Sequence, residues 1–506
     1  MKKQKRTLII VITAILVLTA LLLGLLFLLP EDDDDSSSNT TDETINLIDK
    51  TKADDEIVDD TVKKIVIKLQ NEEYEIVPGD DDQLVVAGYE DLPINTTEID
   101  SLVRSLSNVD ANRKVADNSD NQKDFGLDKP RAIATVTYHD DSVVEFELGN
   151  EAAGDTGSYL RIQSDGPIYL VNSYFAGQLL KESVTYIGTS LITAPNTKSE
   201  SDGDTAVLKD MKLSGSVRAS KPFEFKVNQE TDNKSLSAFT YITTKPFAKG
   251  TSDEVNKIAQ AVTSLDAIQA VKAYPKSDDL KKYGLNNPYS VCEMTLAVQT
   301  TSSSDDDSDT AVTTYYNSTK HKITLGSKDE NDNFYAMVDD IDVVYIISPS
   351  VVPWAESQFG DIVTSMMFMK DITGVKSIKL KSGGETTSFE LTHYPDEEDR
   401  DKSMVVKSGG KTYSTPDFRT LYQVYMMVYR HGELDKKPTG DAEIVFTLQP
   451  TDKSAGSIEA RFYRQSASLY SCVLSDGDYY TVKASDVQRM IDQTKNYLNG
   501  KKVSTD

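Results

Sequence analysis

One stretch of this chain recurs three times and constrains the fold more than any other feature. The copies begin at Tyr159, Tyr335 and Tyr470, and each carries a second tyrosine at the same spacing, namely Tyr169, Tyr345 and Tyr480. In every copy, turn residues separate two alternating apolar runs and a helical pattern follows, which predicts a β-hairpin leading into a helix. Because the copies align without a gap, they predict three copies of one module and a structural role for the repeated tyrosines.

The rest of each copy repeats the same order of patterns. Short alternating strands come first, then an amphipathic helix, then a hairpin, and finally the repeated hairpin and helix. The modules are expected at residues 62–188, 206–360 and 371–500, and the third is the most divergent. Hairpins combined with amphipathic helices predict the α+β class, with three tandem modules of antiparallel sheet and packed helices.

The N-terminal residues predict a membrane anchor ahead of these modules. Residues 1–6 are basic, residues 7–29 carry no charge, and an acidic run follows. As a helix the uncharged run spans about 34 Å, which is enough to cross a hydrocarbon core of roughly 30 Å. The flanking charges place the N-terminus in the cytoplasm and the bulk of the chain outside. We therefore expect a cytoplasmic tail at 1–6, one transmembrane helix at 7–29 and an acidic stalk at 30–61, with a cleaved signal peptide as the alternative.

The composition limits the partners and the redox chemistry. A formal net charge of -27 over 506 residues argues against nucleic acid as a partner, because phosphates need a basic surface. The two cysteines, Cys292 and Cys472, lie in different modules, and Cys292 alternates with Met294 and Leu296. Buried free thiols are therefore expected rather than a disulfide.

A six-residue motif precedes the first hairpin of two modules. It reads FGLDKP at residues 125–130 and YGLNNP at residues 283–288, and the third module has no counterpart. The glycine permits a turn, and the proline holds its predecessor extended and fits the first position of a strand. This turn has a structural explanation, and its residues are Gly126, Leu127, Asp128, Pro130, Gly284, Leu285 and Pro288.

These motifs resemble a bacterial cell-envelope family called domain of unknown function 4340, here in tandem copies behind one membrane span. The resemblance rests on the short basic start, the Gly-Leu-Asp-x-Pro turn and a hairpin that ends in Leu148 and Gly149; the second module keeps Leu325 and Gly326. It implies a place in the cell envelope, and it brings neither an activity nor catalytic residues. Some relatives look like accessory parts of ABC-type export systems, so the resemblance implies such a system as a partner.

Residues that carry enzymatic chemistry are few in this sequence. The four histidines have no His or Cys neighbour at metal-ligand spacing, and no glycine-rich phosphate loop is present. We therefore expect no catalytic residue, no cofactor and no metal. One contact surface is a candidate, on the tyrosine-rich helix of the third module, where the side chains suit stacking on a sugar or a protein: Tyr422, Tyr425, Tyr429 and Arg430. Partly buried packing is the alternative for this stripe.

Three hypotheses for function follow. The first is a non-catalytic, membrane-anchored extracytoplasmic scaffold or binding protein with a protein partner or a cell-envelope component, accessory to an ABC-type export system. The second is a carbohydrate- or peptidoglycan-binding surface protein, and the third is an envelope enzyme. The chain is expected in the cell membrane with a single pass. Function is expected where the copies differ: in the low-complexity insert at residues 301–314, in the tyrosine-rich helix and on the surfaces between modules.

Overall fold

The structure is a computed structural model of the chain. It describes residues 44–50, 61–80, 82–117, 122–154, 157–197, 204–219, 221–229, 236, 239–302, 312–452 and 456–505. The described residues fall into two compact units. The first unit takes in those within 1–61, 105–134 and 144–179, and the second those within 62–104, 135–143 and 180–506.

Short strands dominate the chain from its first described residue onward. In chain order, the first part contains β1 (Ile45–Asp49), β2 (Val62–Leu69), β3 (Glu73–Pro78), β4 (Leu84–Val86), α1 (Thr96–Ser107), β5 (Asn108–Ala111), β6 (Arg113–Ala116), β7 (Ala132–Tyr138), β8 (Val143–Glu151), β9 (Ser158–Ile162), β10 (Ile168–Val171) and α2 (Ser173–Leu179). Single 3-10 turns lie at Gln122–Phe125 and Ser183–Tyr186.

The second part contains β11 (Ser190–Ile192), β12 (Thr205–Ser214), β13 (Phe223–Val227), β14 (Tyr241–Lys245), β15 (Lys249–Gly250), α3 (Glu254–Ala261), β16 (Leu265–Asp266), β17 (Gln269–Ala273), α4 (Ser277–Lys282), β18 (Ser290–Ser302), β19 (Val312–Lys328), β20 (Phe334–Val338), β21 (Val343–Ile347) and α5 (Phe359–Ile362). Single 3-10 turns lie at Ser216–Arg218 and Pro349–Val351.

The third part contains β22 (Val375–Ser382), β23 (Glu385–His393), β24 (Met404–Ser408), β25 (Lys411–Tyr413), α6 (Thr415–Met426), β26 (Arg430–Glu433), β27 (Ile444–Pro450), β28 (Ile458–Arg464), β29 (Leu469–Leu474), β30 (Tyr479–Lys483) and α7 (Ala484–Leu498). A 3-10 turn at Ile372–Gly374 precedes it.

The first unit is built on antiparallel pairing. Strands β8, β9, β10 and β6 pair in that order, and β1 pairs separately with β5. Residues 45–49, which lie in the predicted stalk, are thus a paired strand in the structure. The rings of Phe146 on β8 and Phe175 on α2 lie 6.2 Å apart, so α2 packs against the sheet.

The second unit contains two nine-stranded sheets with the same topology. Their orders are β15-β14-β13-β12-β18-β19-β20-β21-β17 and β25-β24-β23-β22-β27-β28-β29-β30-β26. In both, a strand that comes after the first helix, β17 or β26, takes the far edge, beside the last hairpin. Strands β2, β3 and β4 of the same unit pair with one another in sequence. Alternate residues of each sheet enter a helix-covered core, as the period of a strand requires.

The segment that leads into each module pairs with the segment that follows its first helix. Strand β1 pairs with β5 after α1, and β11 pairs with β16 after α3. The third case is a single antiparallel bridge between Met366 and Tyr429, just after α6. The strand after the first helix thus receives the incoming chain three times, each time within one unit.

The predicted fold class, α+β modules preceded by a transmembrane helix, is wrong as stated. Antiparallel sheets dominate the described residues, and the longest described helix, α7, has 15 residues. No helix in the described ranges is long and apolar enough to cross a membrane. The described helices are short. Each of them has only to cover part of one face of a sheet. The helix predicted at residues 7–29 lies outside the described residues.

Candidate functional site

The two Gly-Leu turns, residues 125–130 and 283–288, have nearly the same backbone geometry. Gly126 and Gly284 adopt φ angles of +68° and +70°, in the left-handed region that favours glycine. The amide of Leu127 donates to the carbonyl of Gln122 at 2.9 Å, and that of Leu285 donates to Leu280 at 2.8 Å. The glycine therefore reverses the chain so that the leucine can turn inward.

The Leu-Gly pair at the end of the following hairpin is explained by a close approach of this turn. A Cβ atom on Gly149 would lie 2.1 Å from the carbonyl oxygen of Phe125, and one on Gly326 would lie 2.1 Å from that of Tyr283. Both distances are shorter than any real contact. Only glycine lets the turn rest on the strand, and both halves of the sequence motif therefore serve one packing contact.

The leucine and the aromatic residue of the turn cover the far face of the repeated hairpin. In the first unit the rings of Phe125 and Tyr159 pack edge to face with centroids 5.0 Å apart. In the second module the rings of Tyr283 and Tyr335 lie 4.6 Å apart. Tyr283, Leu285 and Val344 form a small buried cluster there, which we call the turn cluster. Asp128 is exposed and Pro130 and Pro288 are half-buried, so the leucine carries most of the burial.

Tyr470 does not occupy the position of Tyr335. Tyr345 pairs with Ala336 in the second module, whereas Tyr480 pairs with Cys472 in the third, so the third hairpin is one residue shorter. A shift of one residue moves a side chain to the other face of the sheet. Tyr470 accordingly lies in the core of the third module, while Tyr335 lies in the turn cluster.

The second tyrosines of the three hairpins keep their places better than the first. Tyr345 and Tyr480 lie in the cores of the second and third modules, at 0% and 2% exposure. Tyr169 is half-buried and pairs with Leu160. The hydroxyl of Tyr345 has no hydrogen-bond partner among the described residues, and burial raises its pKa to about 12.

The tyrosine-rich helix α6 buries most of its stripe. The hydroxyl of Tyr422 donates to the carbonyl of Lys370 at 2.7 Å, and that of Tyr425 lies 2.9 Å from the hydroxyl oxygen of Thr494. Burial raises the pKa of both phenols. Tyr429 lies just after this helix and is half-buried. The stripe therefore packs α6 against its surroundings and offers little area to a ligand.

Arg430 belongs to a partly buried ion network between the second and third modules. Its guanidinium donates to Asp478 at 2.5 Å and to Glu433 at 2.9 Å, and it lies 4.0 Å from the centre of the Tyr480 ring. The second module contributes two ammonium groups: Lys221 contacts Glu433 at 2.6 Å, and Lys249 contacts Asp476 at 2.6 Å. Six charged residues, which we call the junction network, thus join the two modules within one unit: Lys221, Lys249, Arg430, Glu433, Asp476 and Asp478.

Asp478 is the member of the junction network whose charged form is least favoured by its surroundings. Its side chain is fully buried, and its Oδ1 atom has no hydrogen-bond partner among the described residues. Burial raises the pKa of its carboxyl above the ordinary value, although Arg430 and Lys249 act in the opposite direction. Removing either partner would leave a costly buried charge.

Arg218 is a second buried arginine, and it serves the core of the second module. It is 1% exposed, and its five N–H donors all find acceptors, namely the hydroxyl of Ser290 and the carbonyls of Ser214, Trp354, Ala355 and Ser357. Burial lowers its pKa to about 10. Since no donor is left for a ligand, this residue fixes the loop after β21 to the sheet.

The two thiols and His393 have structural surroundings. Cys292 and Cys472 are buried and unpaired, as predicted, and burial raises the pKa of the Cys472 thiol to about 12. His393 contacts the carbonyl of Val375 at 2.7 Å. Within the described ranges, no group of three or more His, Cys, Asp or Glu residues could hold a metal ion.

The nine-stranded sheet of the second module, which we call the second sheet, carries a row of alternating charges on the face away from its core. The row crosses five neighbouring strands in register: Lys245 on β14, Glu224 on β13, Lys212 on β12, Glu293 on β18 and Lys322 on β19. Ion pairs join Lys245 to Glu224 at 3.0 Å and Lys212 to Glu293 at 2.9 Å. Facing pairs of opposite charge stabilise such a sheet modestly. Because its side chains are charged, the charge row also makes this face of the sheet polar.

A cleft of about 890 Å³ lies on the same face, and we treat it as the candidate binding site. The cleft is lined by residues of the charge row and also by Asp210, Lys226, Thr295, Lys320 and Asp340. Within this lining the hydroxyl of Thr295 donates to Asp210 at 3.0 Å. At one end, Asp339 contacts His321 at 2.8 Å and accepts the amide of Lys322 at 2.7 Å. The lining offers charges of both signs, so it suits a polar partner better than an apolar small molecule.

Sequence reasoning did not find either the junction network or the charge row. Both depend on which strands become neighbours, since Lys212 meets Glu293 only when β12 pairs with β18 across a sequence separation of 81. The one signal available in the sequence is the alternation of charged with apolar residues within each strand. It indicates an exposed face without indicating its partner strands.

The topology and these sites define a class of protein: tandem modules of nine-stranded antiparallel sheet in the second unit, closed at their last hairpin by a Gly-Leu turn or by an ion network. The model of the domain of unknown function (DUF4340) matches residues 85–288 and 241–408, more than half of the chain. The chain therefore belongs to this family, and the predicted tandem copies are confirmed. Residues 409–500, most of the third module, lie outside the matches. A search of curated proteins and a search of solved structures find no match.

Proposed function

We propose that this chain is a non-catalytic extracytoplasmic scaffold or binding protein, attached to the cell membrane through its N-terminal residues, whose partner docks on the open face of the second sheet. The observation that carries the proposal is the charge row beside a polar cleft. In a chain with a net charge of -27, this face presents ordered lysines as well as carboxylates. Complementary charges of both signs give an interface its specificity and its register.

The partner is proposed to be another polypeptide of the cell envelope, and a component of an ABC-type export system is the first to test. A cleft with ionised walls favours a protein surface that brings matching charges, because such pairs steer association. Attachment to the membrane is supported by the basic residues 1–6 and the uncharged residues 7–29 of the sequence. Protease added outside intact cells should remove a C-terminal tag and spare an N-terminal one.

Affinity capture from detergent-solubilised membranes tests the proposal. The variant Glu224→Gln with Glu293→Gln neutralises the carboxylates of the charge row, and the matched control Glu385→Gln with Glu390→Gln changes two exposed carboxylates on β23 of the third module. We expect the first variant to retain less than a tenth of the captured partner and the control to retain all of it. Equal recovery with both variants, at unchanged thermal stability, would rule out this face as the docking surface.

A second candidate is a surface protein that binds carbohydrate or peptidoglycan. The observation that favours it is the cluster of hydrogen-bonding side chains in the cleft, with Thr295 bonded to Asp210 and Lys320 beside them. Co-sedimentation of the chain with purified cell-wall sacculi, repeated with the same two carboxylate variants, tests this function. It is discarded if the chain stays in the supernatant under conditions where a known wall-binding protein sediments.

A further inference from the structure

Strand β19 is much longer than the strand that pairs with its outer edge. It has 17 residues, and β18 pairs with it from Ser290–Leu325 to Ser302–Val312. On the other side, β20 has 5 residues and pairs with β19 only from Ile323 to Lys328. Among the described residues no strand pairs with this side of residues 318–321, which we call the open edge of β19.

The backbone at the start of the open edge is oriented to accept another strand. Asp339, at the end of β20, donates its amide to the carbonyl of Lys322 at 2.8 Å and accepts the Lys322 amide on its carboxylate at 2.7 Å. The backbone groups of Lys322 therefore point to the outer side of β19. Residues two apart on a strand point the same way, so the N–H and C=O of Lys320 face outward as well, past the end of β20.

The open edge has a charge of its own. Strand β19 contains Lys320, Lys322 and Lys328 and no carboxylate, in a chain whose net charge is -27. Neither Lys320 nor Lys322 forms an ion pair with a described residue, and both line the candidate cleft. Charged side chains, lysine above all, protect an edge strand from indiscriminate pairing, so the two available lysines restrict the open edge to an incoming strand with carboxylates.

We propose that the open edge of β19 binds an extended acidic polypeptide segment by strand addition. The segment lies in line with β20, pairs with the backbone around Lys320, and places carboxylates against the ammonium groups of Lys320 and Lys322. This inference deepens the proposed binding function and rests on it. Asn317, which has a φ of +48° at a bulge opposite Ala297, bends the strand and sets the far end of the regular edge.

A synthetic peptide is the direct probe of strand addition. The probe is a fluorescent decapeptide of alternating Glu and Thr, and its affinity for the full chain in detergent is measured by fluorescence polarisation. A Lys-Thr decapeptide tests charge, and a Glu-Thr decapeptide with every second amide N-methylated tests backbone pairing, since methylation removes N–H donors and keeps the charges. We expect the last two peptides to bind at least tenfold more weakly than the first. Equal binding of the methylated peptide would overturn strand addition.

Variants of the chain locate the binding edge. Lys320→Glu with Lys322→Glu reverses the charge of the open edge, and Lys379→Glu with Lys381→Glu is the matched control on β22, where two exposed lysines have the same spacing on a strand paired on both sides. We expect the first variant to weaken the Glu-Thr peptide at least tenfold and the control to weaken it less than twofold. Equal loss in both variants would overturn the assignment to β19.

Three further outcomes separate this inference from others. If sedimentation velocity shows a dimer of the full chain that Lys320→Glu with Lys322→Glu abolishes, a second copy occupies the edge and the acidic segment is excluded. If partner capture depends on Glu224 and Glu293 while peptide binding ignores both lysine variants, the proposed function stands and the edge assignment fails. Peptide binding as expected together with failed capture of any partner supports the edge and removes the wider function.

Discussion

The last hairpins of the second and third modules share a topology and are closed by different means. In the second module the Gly-Leu turn folds over the far face of β20 and β21 and buries Leu285 against Val344. The third module has no such turn, and the tip of β29 and β30 is instead held by ion pairs, with Lys249 of the second module on Asp476 and Arg430 of its own module on Asp478. A local turn makes a hairpin self-sufficient, whereas an ion network makes it depend on the adjoining module.

The residues on the two hairpins follow this difference. With the one-residue shift taken into account, Ser471 stands where Tyr335 lies in the second module, and Thr481 stands where Ile346 lies. The face under the turn carries Tyr335, Val344 and Ile346, and the matching face of the third module carries the smaller hydroxyl side chains of Ser471 and Thr481. The missing motif therefore goes together with altered side chains on the face that it would contact.

The largest effect is expected from closing the space under the turn. Gly326→Ala would place a Cβ atom 2.1 Å from the carbonyl oxygen of Tyr283, and the turn would have to leave the sheet. We expect a loss of about 4–5 kcal/mol in the free energy of unfolding of the second module, measured by chemical denaturation. Gly177→Ala on α2 is the control, since no atom lies within 4 Å of its added Cβ. A loss below about 1 kcal/mol for Gly326→Ala would show that the turn is dispensable.

The matching cut in the third module is Arg430→Met. It leaves Asp478 buried without its closest cation, at a cost of about 3–5 kcal/mol. Adding Asp478→Asn should recover part of that loss, because the stranded charge is then gone. Limited proteolysis between the modules, together with thermal unfolding, measures both effects. No recovery in the double variant would mean that Arg430 acts through its packing on Tyr480 and Phe359.

The effect of pH on this variant has a definite sign. Burial raises the pKa of Asp478, so ionising this carboxyl in the folded protein lowers the free energy of unfolding. The stability that the protonated carboxyl contributes is therefore lost as the pH rises through the folded pKa. Arg430 opposes that rise, so Arg430→Met should move the folded pKa higher still. The destabilisation by Arg430→Met is therefore expected to be smaller near about pH 4 than near about pH 8 in urea titrations. A loss that does not change with pH would contradict this account of the network.

A smaller effect is expected when the turn is kept and its anchor is shortened. Leu285→Ala removes most of the turn cluster's aliphatic volume and should cost about 2–4 kcal/mol in the second module. Leu127→Ala should act similarly in the first unit, where the leucine is 3% exposed. Hydrogen exchange of the β20 and β21 amides, which should rise selectively, is the measurement. An unchanged exchange pattern would show that the ring contact between Tyr283 and Tyr335 is sufficient.

Much of this comparison could be predicted from the sequence, because many of the interactions join residues that are close together in the chain. The hairpin pattern, the Gly-Leu turn and the buried thiols are decided by residues close together, so they appear correctly in the sequence. The register of the third hairpin could not be predicted, because an ungapped match of tyrosines conceals a difference of one residue in turn length. Arg430 looked like part of an exposed stripe because its buried partner, Asp478, comes from a distant part of the chain.

The smallest effect, with the opposite sign, is expected from Ser471→Ala. The Ser471 side chain is 1% exposed, and its hydroxyl has no hydrogen-bond partner among the described residues. Removing a buried unpaired hydroxyl should leave stability unchanged or raise it by up to about 1 kcal/mol. Thr481→Ala on the facing strand is the control, because the Thr481 hydroxyl donates to the carbonyl of Gly432 at 3.1 Å. Losing this hydrogen bond should lower the free energy of unfolding by about 1 kcal/mol. Chemical denaturation of the full chain measures both. A clear loss for Ser471→Ala would show that this hydroxyl has a hydrogen-bond partner and would contradict the prediction.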